Sequence, residues 1–155
     1  MMSHLYVTNP FDASPVGEVN RSSESEVDAA LAIAEKTHRN NKKGLPKYQR
    51  VAILKKAAEI MKGRATELAL LIASEGGKPL IDAKVEVKRA IDGVETCASE
   101  IANNSGLEIP MDLTPAGEGK MAFTIKEPIG PVVAVSAFNH PLNLIVHQVG
   151  PAVAA

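Results

Sequence analysis

Glu127-Pro128-Ile129-Gly130-Pro131-Val132-Val133-Ala134-Val135-Ser136-Ala137-Phe138-Asn139-His140-Pro141-Leu142-Asn143-Leu144 is the stretch whose reading decides the fold. The apolar run 132–135 lies between a Pro/Gly break and Phe-Asn-His-Pro, which reads as a buried strand turning into a helix. Pro141 suits the opening turn of that helix, because its φ is already helical and the N–H it lacks would have no partner there. Asn139 and His140 fall in the strand-to-helix corner. Backbone N–H groups are unpaired at such corners, and open α/β sheets bind ligands at the carboxyl ends of their strands. The expected class is therefore α/β, rich in helix, with a parallel sheet that begins at Val132.

Upstream, the periodicity is helical. Ser23-Glu24-Ser25-Glu26 is a capping box, and Val27, Ala30, Leu31, Ala34 and His38 share one stripe, which predicts a helix over 24–41 stopped by Asn40-Asn41-Lys42-Lys43-Gly44. Pro46 opens a second helix with Val51, Leu54, Ala58 and Met61 on its inner face, broken near Gly63. A third runs through Leu68, Leu71 and Ile72 to the stop Gly76-Gly77-Lys78-Pro79. The longest is expected over 80–103, with Leu80, Ala83, Val87, Ala90, Val94, Cys97 and Ile101 as a packing seam. Asp82, Glu86, Lys88, Arg89, Asp92 and Glu95 read as its solvated face.

At the start of the chain, 5–8 and 16–19 read as a small hairpin. A loop is expected over 105–119 with a short strand at 107–109, followed by an edge strand over 121–127. The organisation predicted is one unit over 1–155: extended chain over 1–22, helices over 23–104, loop and edge strand over 105–128, and the first strand-turn-helix of a sheet over 129–155.

The totals narrow the classes. Apolar residues make up 45% and charged residues 23% of the 155 residues, a balance that argues against disorder. The 17 basic and 18 acidic residues are dispersed, giving a net charge of −1 and no basic stripe for nucleic acid. No apolar run is long enough to span a bilayer and no secretory signal follows Met1-Met2, so a soluble protein is expected. The single cysteine, Cys97, excludes an internal disulfide framework and suits a reducing cytoplasm. It lies on the seam of the long helix, where a small buried hydrophobe is the expected role. No His, Cys, Asp and Glu cluster has metal-ligand spacing.

A parallel strand needs a partner that arrives after a crossover helix, yet the sequence stops inside that helix at Ala155. The expectation is an N-terminal portion of a longer enzyme, with the catalytic domain absent from this chain.

Phe138, Asn139 and Pro141 resemble the Pro-(Phe/Trp)-Asn-(Phe)-Pro motif of the NAD(P)-dependent, non-phosphorylating aldehyde dehydrogenases, with Ala137 in place of the usual Pro and His140 in place of the usual Phe. Glu75-Gly76-Gly77-Lys78-Pro79-Leu80 and Glu127-Pro128-Ile129-Gly130 fall in that family's order and approximate spacing, so the resemblance covers nearly the whole chain. It implies a Rossmann-type cofactor domain for NAD or NADP. It also implies oxidation of an aldehyde to the acid through a cysteine thiohemiacetal and thioester. The family's nucleophilic cysteine, general-base glutamate, adenine-ribose lysine and later glycine-rich loop would all lie beyond Ala155.

By the same resemblance Asn139 supplies an oxyanion donor, and Ser136, Ala137, Phe138 and Asn139 line the nicotinamide end of the cofactor site. His140, Leu144 and His147, spaced by four and three on one helical face, would wall the substrate tunnel. Two imidazoles there favour a small polar or anionic aldehyde. Other roles stay open. Asn139 could cap the helix, Phe138 could be strand-end packing, and His147 could pack while only His140 meets the tunnel. No Gly-x-Gly-x-x-Gly fingerprint is present. In the family it resembles, a strand pair near 121–127 reaches toward neighbouring subunits, so the resemblance also implies a homo-oligomer, a dimer or tetramer. The alternative is a truncated, non-catalytic homologue that acts as a binding or oligomerisation module.

Overall fold

The computed structural model describes residues 3–41 and 44–155. The Met1-Met2 start and the Lys42-Lys43 part of the first helix's stop lie outside the described residues. Strands β1 (Ser3–Thr8) and β2 (Pro15–Arg21) form an antiparallel hairpin with Leu5 opposite Val19 and Tyr6 opposite Glu18. Side chains tie its turn: the Phe11 N–H donates to Asn9 Oδ1 at 2.9 Å and the Ser14 N–H to Asp12 Oδ1 at 3.0 Å.

Helix α1 (Glu24–Asn40) begins on the expected capping box, in which Ser23 Oγ accepts from the Glu26 N–H at 3.3 Å and Glu26 Oε2 accepts from the Ser23 N–H at 2.7 Å. No residue of this helix is buried, and Val27 and Leu31 of its apolar stripe are exposed. Its local support comes from the cap and from the Glu35–Arg39 pair one turn apart at 2.5 Å.

The core is built by α2 (Lys47–Gly63), α3 (Ala65–Gly76), α4 (Leu80–Glu100) and α5 (Pro141–Ala154), with α4 at the centre. Its seam follows the periodicity: Ala83, Val87, Ala90, Val94 and Ile101 are buried, Cys97 is half-buried, and Leu80 at the first turn is exposed. Leu54 and Ala58 of α2, Ala69 and Ile72 of α3, and Val146 of α5 close over it. Gly93 and Gly150 let α4 and α5 approach. A Cβ on Gly150 would stand 3.0 Å from Cys97 Sγ, and one on Gly93 would stand 3.3 Å from Val146 Cγ1. Gly77 ends α3 with φ of 64° and donates its N–H to the Ala73 carbonyl at 3.0 Å. A Cβ there would also meet Pro10 of the hairpin turn at 2.9 Å.

Three expectations need correction. Glu86 does not belong to the solvated face of α4, because it is only 2% exposed. The edge strand expected over 121–127 is reduced to β4 (Ala122–Phe123), since its partner β3 (Glu108–Ile109) offers only two residues to pair with. The run 132–135 is not a paired strand, and Val132, Val133 and Val135 are exposed. A strand exists through the hydrogen bonds of a neighbour, and among the described residues no strand lies beside it. One rung is present. The Gln148 side-chain amide accepts from the Val135 N–H at 2.7 Å and donates to the Val135 carbonyl at 2.8 Å, as a partner strand would.

Candidate active site

A cavity of about 530 Å³ opens where the first turns of α4 and α5 meet, with Lys78, Asp82, Glu86 and Arg89 on one side and Phe138, Asn139, His140 and Pro141 on the other. Each wall has a sequence reason. The Gly77 turn and the rigid Pro79 aim Lys78 back over α4. Pro141 occupies the first turn of α5, as expected, and sets the corner residues just outside the helix.

The centre of the corner is a buried carboxylate. Glu86 Oε1 accepts from the backbone N–H groups of Leu142 at 3.0 Å and Asn143 at 3.2 Å, which are orphan donors of the first turn of α5. Its other oxygen, Oε2, pairs with Lys78 Nζ at 2.5 Å, and no part of the Glu86 side chain reaches solvent. Burial is the largest influence on this carboxyl and pushes its pKa up. The hydrogen bonds from Lys78 and Asn143, the Lys78 charge and the Leu142 N–H together outweigh it and hold the group below the usual carboxylate value. The carboxylate is thus ionised and meets the positive end of the α5 dipole. His140 Nδ1 lies 3.0 Å from Lys78 Nζ and 3.4 Å from Glu86 Oε2.

Sequence reasoning missed Glu86, although a signal existed. It stands three residues after Ala83 and four before Ala90, so a buried face wide enough to include both also includes residue 86.

The expected site residues separate into two groups. Asn139 and His140 both line the cavity, together with Phe138, a residue that is 90% exposed. The residue at the N-cap position of α5 is His140, and no side chain of its own caps the helix; Glu86 takes that task, so Asn139 is not the cap. Ser136 turns its hydroxyl inward and donates to the Pro141 carbonyl at 2.9 Å, while Ala137 stays exposed at the corner. Leu144 and His147 do not line the cavity. They share a face with His140, but that face runs down α5 along α4, where the His147 ring lies beside Gly93. Asn143 Oδ1 is buried without a hydrogen-bond partner among the described residues.

Cys97 lies in the α4–α5 seam against Gly150, and burial pushes its thiol pKa up, the reverse of what an attacking thiolate needs. Among the described residues no group of three His, Cys, Asp or Glu side chains could hold a metal ion, and no helix is long and apolar enough to cross a membrane.

Comparisons with known proteins bear on the family and the fold. The family model described as "Aldehyde dehydrogenase family" matches residues 2–155. The 3-sulfolactaldehyde dehydrogenase of Priestia aryabhattai is 35% identical over 151 residues, covering 97% of this chain and 31% of that protein. The crystal structure of aldehyde dehydrogenase 21 from Physcomitrella patens, in complex with the reaction product succinate, superposes with a TM-score of 0.92 at 35% identity, covering 99% of this chain and 32% of that one. The NADP-dependent glyceraldehyde-3-phosphate dehydrogenase from Bacillus halodurans, complexed with NADP, gives a TM-score of 0.89 at 29% identity, covering 98% of this chain and 32% of that one. The chain therefore spans about a third of the length of the relatives it matches. With the family model matched along nearly all of its residues, this chain belongs to the aldehyde dehydrogenase family.

Proposed function

We propose that these 155 residues are the N-terminal part of an enzyme that oxidises a short anionic aldehyde to its acid with NAD or NADP, and that Asn139 is the side-chain donor to the oxyanion. The observation that carries this reading is the division of labour at the corner. Glu86 caps α5, and Asn139 lines the cavity without making a hydrogen bond to any described residue. A neutral amide donates to a developing oxyanion without giving up a proton, and a fixed donor of that kind is worth ~3 kcal/mol in the transition state.

The corner fits the nicotinamide end of the cofactor. The Phe138 ring and Ala137 offer exposed apolar surface beside the Asn139 amide, which suits a flat ring carrying a carboxamide. Bound there, NAD(P)+ would supply the hydride acceptor, and the NADP in the Bacillus halodurans structure supports that choice. Ser136, whose hydroxyl is already engaged by the Pro141 carbonyl, serves to hold the corner's shape. The attacking thiolate belongs to the part of the enzyme outside these residues, since Cys97 is half-buried and its thiol is pushed up.

An anionic substrate is favoured by the groups at the cavity. Lys78 and Glu86 neutralise one another, whereas Arg89 is exposed at the wall without an ion-pair partner among the described residues, and His140 adds a polar ring edge. Asp82 lies on the same wall and opposes this preference in part. The relatives named for 3-sulfolactaldehyde and glyceraldehyde-3-phosphate, and the succinate in the Physcomitrella structure, are of the same anionic kind. Exposed Met121, Phe123 and Ile125 beside the β3–β4 pair support an oligomer contact there.

The test is reduced-cofactor formation by the full-length enzyme with chain-matched aldehydes that carry a carboxylate, a sulfonate or no charge. The anionic aldehydes are expected to have kcat/KM roughly tenfold or more above the neutral one, with the preference reduced in His140→Phe. Equal values across the three would remove the substrate assignment, and no reduced cofactor with any of them would favour a binding module.

A further inference from the structure

Glu86 has a fully buried side chain, and its two oxygens are divided between two elements: one takes the first turn of α5, the other takes Lys78 from the α3–α4 connection. We propose that Glu86, held by Lys78, is the positioning residue of the Asn139–His140 corner, fixing where the Asn139 amide stands and which edge of His140 the cavity meets. The proposal rests on the reading of Asn139 as the oxyanion donor.

The first half follows from the backbone. Pro141 has no N–H, and His140 caps nothing with its side chain, so among the described residues the hydrogen bonds that tie the start of α5 to α4 are those from the Leu142 and Asn143 N–H groups to Glu86. Asn139 lies three residues before Leu142, with the stiff Pro141 ring between them. A shift at the tether therefore passes to Asn139 with little loss. An oxyanion donor has to stand about 2.7–3.1 Å from the developing charge, so small shifts have large consequences.

The second half follows from Lys78. An ammonium can only donate, so His140 Nδ1, 3.0 Å from Lys78 Nζ, is the acceptor, and this contact is shorter than the 3.4 Å to Glu86 Oε2. The ring proton then stands on Nε2, the edge turned away from the pair. His140 thus offers an N–H donor on Nε2, which can select a carboxylate or sulfonate oxygen.

Three variants of the full-length enzyme test this: Glu86→Gln, Lys78→Met and the double variant. Glu86→Gln keeps the volume and one acceptor, and kcat per titrated active site is expected to fall roughly tenfold, with KM for NAD(P)+ unchanged. Lys78→Met leaves the buried carboxylate without its counter-ion, with an expected fall of roughly 100-fold, and the double variant should recover part of it. Amide exchange at Leu142 and Asn143 should quicken in the same order while the α4 core stays protected. A kcat for Glu86→Gln within about twofold of wild type, or no recovery in the double variant, overturns the proposal. If the wild type oxidises no aldehyde, the functional reading falls by itself and amide exchange still decides the positioning. Quickening confined to the first turn of α5 supports it, and unchanged exchange in Glu86→Gln overturns it.

Discussion

The start of α5 is held by a carboxylate with no solvent-exposed atom, whereas the valines just before that corner lie open: Glu86 is 2% exposed and Val133 is 72%. A charged group and an apolar group have taken the places each would ordinarily leave to the other. The difference teaches that burial here follows the demand for partners as much as side-chain polarity. Glu86 is enclosed because it answers two orphan N–H groups and an ammonium at once. The run 132–135 remains open because, among the described residues, no strand lies beside its backbone, and the Gln148 amide serves Val135.

That contrast can be broken at either end. The largest effect is expected from Lys78→Met in the 155-residue chain, which strands a buried carboxylate and should cost ~3–5 kcal/mol in chemical denaturation. A cost comparable to that of an exposed ion pair would mean that Glu86 reaches water. Acid provides the next test. The pKa of Glu86 is lowered from 4.5 in the folded chain, so its contribution to stability is complete above that value and is lost as pH falls through the folded one. The stability advantage of wild type over Glu86→Gln should therefore hold at neutral pH and shrink in acid, and an advantage that grows in acid would contradict the assignment. Gln148→Ala should cost about 1 kcal/mol, the usual net worth of a hydrogen bond, and loosen 132–135 against α5. The smallest effect is expected from Val133→Thr, within ~0.5 kcal/mol in this chain, because the residue is largely exposed. A loss of several kcal/mol there would show that the run packs against something.

Much of the fold was legible wherever the signal was local. The capping box at Ser23 and Glu26, the Gly77 stop, Pro141 at the opening of α5 and the seam from Ala83 to Ile101 all stand where the residues placed them. What failed depended on a neighbour distant in sequence. Periodicity tells which face a segment can bury, not whether anything arrives to cover it: α1 forms where it was expected but with its stripe exposed, and 132–135 is unpaired among the described residues. Glu86 was hidden by the charged residues around it, although a buried face wide enough for both Ala83 and Ala90 includes its position. At the site, the corner reading brought Asn139, His140 and Phe138 to one cavity. Leu144 and His147, matched to the tunnel wall by resemblance and sharing a helical face with His140, lie further down α5 than this cavity, which sits at the helix's end.

The central claim is that Asn139 is free to serve an oxyanion because Glu86 has taken over the helix cap. Steady-state kinetics of Asn139→Ala in the full-length enzyme, alongside thermal unfolding of the same variant, test it most directly. The account predicts a kcat lower by roughly 10²–10³ with an unchanged melting temperature. A melting temperature that falls by several degrees while kcat per folded enzyme stays within a few-fold of wild type would contradict it, because Asn139 would then be holding the helix and not the reaction.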